Sequence, residues 1–217
     1  RDAQESRGLG DVYKRQVYTS LNICGNLVLY FFRFDVGNEG AYSIFAAVAF
    51  AAQVIVMMVI PLLRKRFSKS RLFISGFIIQ IAGFAVILIM AFAKLYTPQS
   101  WYILCLPGIL IYLGYGMLNV IMTIFLSDSV DYGEVMNGTR EESVIFSMQT
   151  FTVKLASGVA VFLAGLVVDW IHLDAAAAVQ TQDTLDALRM WMTIPSVILL
   201  IVGIFIFKRF YKLDDAR

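Results

Sequence analysis

The chain has 217 residues, of which 59% are hydrophobic and 16% charged, with a net charge of +2 and a mean hydropathy of +0.73. That balance is too apolar for a soluble domain and too interrupted by charge for one continuous apolar tract, which leaves a polytopic, all-α membrane protein. No basic patch is interleaved with aromatics, so no nucleic-acid partner is expected, and the charges encode topology.

Residues 1–16 are polar and lack helical periodicity. They resemble a translated adapter and are set aside as a non-native or disordered leader, the alternative being a native cytoplasmic tail. Six apolar segments follow, each judged against the roughly 20 residues that a membrane-spanning helix requires. The first, 17–32, carries Asn22, Asn26 and Tyr30 at steps of four, one polar stripe on one face. The second, 41–63, is rich in alanine, has Gln53 as its interior polar residue, and ends near Pro61. The basic run Arg64, Lys65, Arg66, Lys69 and Arg71 comes next. The third, 72–93, places Gly76, Gln80 and Gly83 on one face, as close helix packing requires. The fourth, 101–126, aligns Tyr112, Tyr115, Asn119 and Thr123.

A dense charged stretch then runs from Asp128 through Asp131, Glu134 and Arg140 to Glu142, and is expected to be a loop turning at Asn137-Gly138. The Asn137-Gly138-Thr139 sequon falls within that turn and is read as incidental. The fifth segment, 142–168, has two faces. Ser143, Ser147, Thr150, Lys154, Gly158 and Gly165 repeat on one side, and Ala156, Ala160 and Ala164 form a small-residue ridge on another. At about 1.5 Å per residue, Lys154 lies roughly 18 Å past Glu142, near mid-membrane, where a lysine costs about 3 kcal/mol on insertion scales. None of the six interiors offers a carboxylate to neutralise it. Its partner is therefore a second chain or missing segment, or a wet anion site, unless the lysine is neutral or snorkels to an interface. The sixth segment, 188–207, is expected to start from a cap at Asp183 or Thr184. Cys24 and Cys105 lie in apolar runs and are read as buried thiols, without metal spacing. His172 is read as a solvated loop residue.

The basic residues of the second loop, Arg140 and the tail fall on one side of the membrane, and Arg33, Lys94 and Arg189 on the other. By the positive-inside rule both chain ends, and the charged stretch, are expected to be cytoplasmic in the inner (plasma) membrane.

The order Asp-x-x-Asp-Tyr-Gly-Glu at 128–134, Arg140, and Ser-x-Gln-Thr-x-x-x-Lys ending at Lys154 resembles the glycoside-pentoside-hexuronide:cation symporters, melibiose carrier-like members of the major facilitator superfamily. The resemblance covers 17–213 and implies a six-helix bundle, the carboxyl-terminal half of a twelve-helix fold. It implies that Lys154 lies near the sugar and cation sites, paired with aspartates of an amino-terminal six-helix half, with Thr150 and Gln149 lining the same region. It further implies that Asp128, Asp131, Glu134 and Arg140 close a cytoplasmic gate, helped by the basic loop. Asn119 stands where the melibiose carrier has a tryptophan against the sugar, which leaves the sugar class open. The stripes bearing Asn22, Asn26, Tyr115 and Asn119 would line the cavity.

The expected function is thus cation-coupled (Na⁺ or H⁺) sugar symport by alternating access, with a sugar, a coupling cation, the bilayer and the amino-terminal half as partners and no further cofactor. A self-standing six-helix scaffold or homodimer, and a facilitator of non-sugar cargo, are the alternatives. No helix interior offers a Ser/His/Asp set, a metal spacing or a phosphate loop, so no enzyme is expected.

Overall fold

The computed structural model describes residues 19–137, 142–177 and 179–210, and those residues form six helices. Helix α1 covers 19–30 and widens into a π-helical turn at Phe31–Val36, stopped by Gly37 at φ +75°. The others are α2 (Ala41–Leu63), α3 (Lys69–Phe92), α4 (Cys105–Asn137, preceded by a 3₁₀ turn at Trp101–Leu104), α5 (Glu142–Trp170) and α6 (Gln182–Phe210). From α2 onward, five helices are long and apolar enough to cross a membrane. Residues 1–16, Gly138 with Thr139, and Arg140 lie outside the described residues.

Three boundaries differ from the hydropathic reading, each for a local reason. Helix α1 runs past residue 32 and takes in Asp35. Helix α4 does not stop at residue 126: Asp128, Asp131 and Glu134 stand on helix, not in a loop. Leu126 and Val130 are both buried, so the apolar stripe continues for another turn beneath exposed carboxylates spaced three apart. Helix α6 starts at Gln182, six residues before the apolar run. Its cap is Thr181, whose Oγ1 accepts from the Thr184 backbone N–H at 3.3 Å, in place of the expected Asp183 or Thr184.

Helix α4 is central, packed mainly on α3 and α2, and α3 also lies along α6. Glycine sets these approaches. A Cβ on Gly114 would sit 2.6 Å from the Gly76 carbonyl oxygen and 2.7 Å from the Gln80 nitrogen, and one on Gly83 would be 2.8 Å from the Ile111 nitrogen. Small residues let helix backbones meet where lipid offers no hydrophobic driving force. At one end, the Phe73 ring lies 4.5 Å from the tilted Phe207 ring and meets Phe125 edge-on at 5.4 Å, joining α3, α4 and α6. Cys24 and Cys105 are free thiols.

Candidate functional site

The polar stripes read from spacing sit on α1, α4 and α5. On α1, Asn22 and Asn26 are half-buried, and Asn26 Nδ2 donates to the Asn22 carbonyl at 2.7 Å. On α4, Tyr115 and Asn119 are half-buried, with Asn119 Nδ2 donating to the Tyr115 carbonyl at 3.2 Å. Thr123 Oγ1 in turn donates to the Asn119 carbonyl at 2.9 Å. These donors bond back to their own helices, which satisfies them in an apolar setting.

Helix α5 touches the bundle along one ridge. Thr152, Ala156, Ala160 and Ala164 are buried, whereas Ser143, Ser147, Thr150, Lys154, Gly158 and Gly165 are all exposed. The ridge of alanines is what brings α5 in, and it leaves the polar stripe turned outward. Thr150 Oγ1 donates to the Phe146 carbonyl at 3.0 Å. Gln149 Oε1 is buried and accepts no hydrogen bond from the described residues, an orphan acceptor one residue before Thr150. Lys154 forms no ion pair among the described residues. An open hollow of 390 Å³ bordered by Ser143, Ser147, Met148 and Phe151 lies along the same helix.

Of the four residues assigned to a gate, Asp128, Asp131 and Glu134 share the exposed side of the last turns of α4. Asp128 is ion-paired with Lys69 at the start of α3, so one acid and one base of the two expected groups meet within this chain. Arg140 is outside the described residues. Lys154, Gln149, Thr150, Asn119, Asn22, Asn26 and Tyr115 are placed on three helices.

At the opposite end lies an ionic cluster that the sequence reading missed. Arg189 of α6 donates through Nε to Asp35 Oδ2 at 2.9 Å and through Nη2 to Asp35 Oδ1 at 2.5 Å. Both side chains are nearly inaccessible, at 4% and 3% exposure, so this is a buried bidentate pair. Arg189 Nη1 also reaches Asp186 Oδ1 at 2.7 Å, and Tyr96 Oη donates to Asp35 Oδ2 at 2.5 Å. Burial, then the hydrogen bond to the Asp35 carboxylate, pushes the Tyr96 phenol well above its ordinary value, so it remains a donor. The cluster binds α1, the α3–α4 connection and α6. The available signal was a carboxylate just beyond the end of one apolar run and a guanidinium in the first turn of another.

A membrane bundle with half-buried asparagines, and with a lysine on a spanning helix that forms no ion pair among the described residues, is the geometry against which the comparisons with known proteins stand. The family model described as MFS/sugar transport protein matches residues 16–215. The chain belongs to that family. It is a multi-pass membrane protein of the major facilitator superfamily, in agreement with the resemblance drawn from Asp128 to Lys154. The chain is 26% identical over 199 residues to the "Uncharacterized symporter YjmB" of Bacillus subtilis (strain 168), covering 92% of this chain and 42% of that protein. It is 27% identical to the "Isoprimeverose transporter" of Lactiplantibacillus pentosus over 88% of this chain and 38% of the relative. With the "Raffinose carrier protein" of Pediococcus pentosaceus the identity is 24%, over 85% of this chain and 28% of the relative. The family and these relatives are transporters, not enzymes, and this facilitator chain spans less than half the length of each of the three.

Proposed function

We propose that the chain is the carboxyl-terminal six-helix half of a cation-coupled sugar symporter that works by alternating access in the inner membrane, with both of its ends cytoplasmic. The observation that carries this reading is Lys154: a cation on the outward polar stripe of a membrane-spanning helix, with no ion-pair partner among the described residues. A charge in that position is retained only against a counter-charge or a hydrated site. An amino-terminal half that presents aspartates to this stripe would supply it, and those carboxylates would also hold Na⁺ or replace it with a proton.

The names of the relatives, among them an isoprimeverose transporter and a raffinose carrier, support a sugar as cargo. Asn22 and Asn26 from α1, Tyr115 and Asn119 from α4, and Gln149 and Thr150 from α5 offer amide, phenol and hydroxyl groups of the kind that pair with sugar hydroxyls. Cation and sugar bound side by side between two bundles favour each other's occupancy, which is the coupling. Rocking of one bundle against the other then exposes the shared site to each side in turn. Asp128 with Lys69, Asp131, Glu134 and Arg140 would close the cytoplasmic side.

The test is uptake of radiolabelled raffinose and related glycosides by cells expressing the full-length polypeptide, with and without Lys154→Ala. Gradient-driven accumulation should fall by at least about tenfold, an energetic change of roughly 1.4 kcal/mol or more, with the protein still present in the membrane. Full coupled uptake by the variant would remove Lys154 from the mechanism.

A further inference from the structure

Among the described residues, the end of the bundle that holds the α2–α3 connection carries basic side chains that no acid engages. Lys69 is committed to Asp128, and Asp131, Glu134 and Glu142 have interactions of their own. The side chains of Arg64, Lys65, Arg66 and Arg71 form no ion pair or hydrogen bond among the described residues. Lys208 and Arg209, in the last turn of α6, are exposed and likewise form no ion pair among the described residues. The contact of Phe207 with Phe73 brings that turn against the start of α3, two residues from Arg71. Cations from two separate stretches of chain therefore gather at one end.

Their setting is amphiphilic. Leu62 is 63% exposed, Phe67 44% and Phe205 70%, so apolar surface borders the charges on both stretches. The connection is fixed by its own backbone, with the Arg64 N–H donating to the Ile60 carbonyl at 2.9 Å and the Phe67 N–H to the Leu63 carbonyl at 2.9 Å. A cluster of cations held immediately beyond a spanning helix sits at the depth of phospholipid phosphates.

We propose that this end binds an anionic phospholipid, its phosphodiester held among Arg64, Lys65, Arg66, Arg71, Lys208 and Arg209 and its acyl chains lying along Leu62, Phe67 and Phe205. The apolar border selects a lipid over a free anion, because inorganic phosphate would use the cations and leave that border uncovered.

The test is native mass spectrometry of the full-length polypeptide in detergent, after exchange with equimolar phosphatidylglycerol and phosphatidylcholine of matched chains. The expected result is about a tenfold preference for retained phosphatidylglycerol. It should fall to near parity in a protein carrying Arg64→Gln, Lys65→Gln, Arg66→Gln and Arg71→Gln, and stay unchanged in Lys94→Gln at the other end. Should the fourfold variant fail to fold, Lys208→Gln with Arg209→Gln is expected to lower the preference part-way. Millimolar inorganic phosphate should not displace the lipid. Equal retention of both lipids by the unaltered protein would overturn the proposal, as would a preference that survives the substitutions or a lipid that phosphate expels.

Discussion

At the scale of single residues, the Asp35–Arg189 pair and Lys154 are opposite solutions to the cost of charge in an apolar setting. Asp35 and Arg189 are desolvated together and satisfy each other bidentately, with Tyr96 and Asp186 taking remaining bonding capacity. Removing one member leaves the other buried and uncompensated, at a cost of about 3–5 kcal/mol, whereas replacing both with apolar groups of similar volume is far less damaging. Arg189→Met alone is therefore expected to lower the thermal unfolding midpoint in detergent more than Arg189→Met combined with Asp35→Leu. Equal losses in the two proteins would mean that the pair's charge is not what holds α1 to α6. Tyr96→Phe, which removes one donor to the Asp35 carboxylate, should cost about 1.5–3 kcal/mol.

At the scale of helices, contact between backbones is set by glycine at some crossings and by alanine at another. Gly83→Ala and Gly114→Ala would each drive a Cβ to within 2.8 Å of backbone on the facing helix, where neither partner can yield as a flexible side chain would. Each should destabilise by about 1–3 kcal/mol. Gly158→Ala, with nothing within 4 Å of the added carbon, should be neutral or stabilising by about 0.5–1 kcal/mol through better helix propensity. Thermal melts of the three proteins check the ranking, and a Gly158→Ala protein as unstable as Gly114→Ala would contradict it.

The same contrast explains what could be read in advance. Gly76, Gln80 and Gly83 repeat at helical spacing, as do Ala156, Ala160 and Ala164, so both packing faces were legible. The outward stripe through Thr150 and Lys154 was legible for the same reason. Helix ends were less so, because hydropathy falls where side chains become polar, not where backbone hydrogen bonding stops. Asp128, Asp131 and Glu134 thus looked like loop although Leu126 and Val130 carry the buried stripe onward, and Asp35 looked like a flank although α1 continues through Val36. The pairing of Asp35 with Arg189 spans 154 positions, and no local pattern encodes a contact between the two ends of a bundle.

At the scale of the whole molecule, the chain belongs to the MFS/sugar transport protein family and spans less than half the length of the relatives it matches, and the proposed function has it meet another bundle across a polar surface. On the proposed reading, α5 contributes the cation Lys154 and its neighbouring polar groups to that surface, and the charged last turns of α4 close one end of it. The basic end would rest on anionic lipid headgroups, and the buried Arg189 cluster would fix the opposite end. The most direct measurement is sugar uptake by the full-length polypeptide in proteoliposomes, with an inward Na⁺ gradient, an inward proton gradient or neither, across a panel of glycosides. Cation-coupled symport predicts accumulation of at least one glycoside above its external concentration only while a cation gradient is imposed, and its collapse when an ionophore dissipates that gradient. Equilibration indifferent to both gradients, or no uptake of any glycoside, would contradict it.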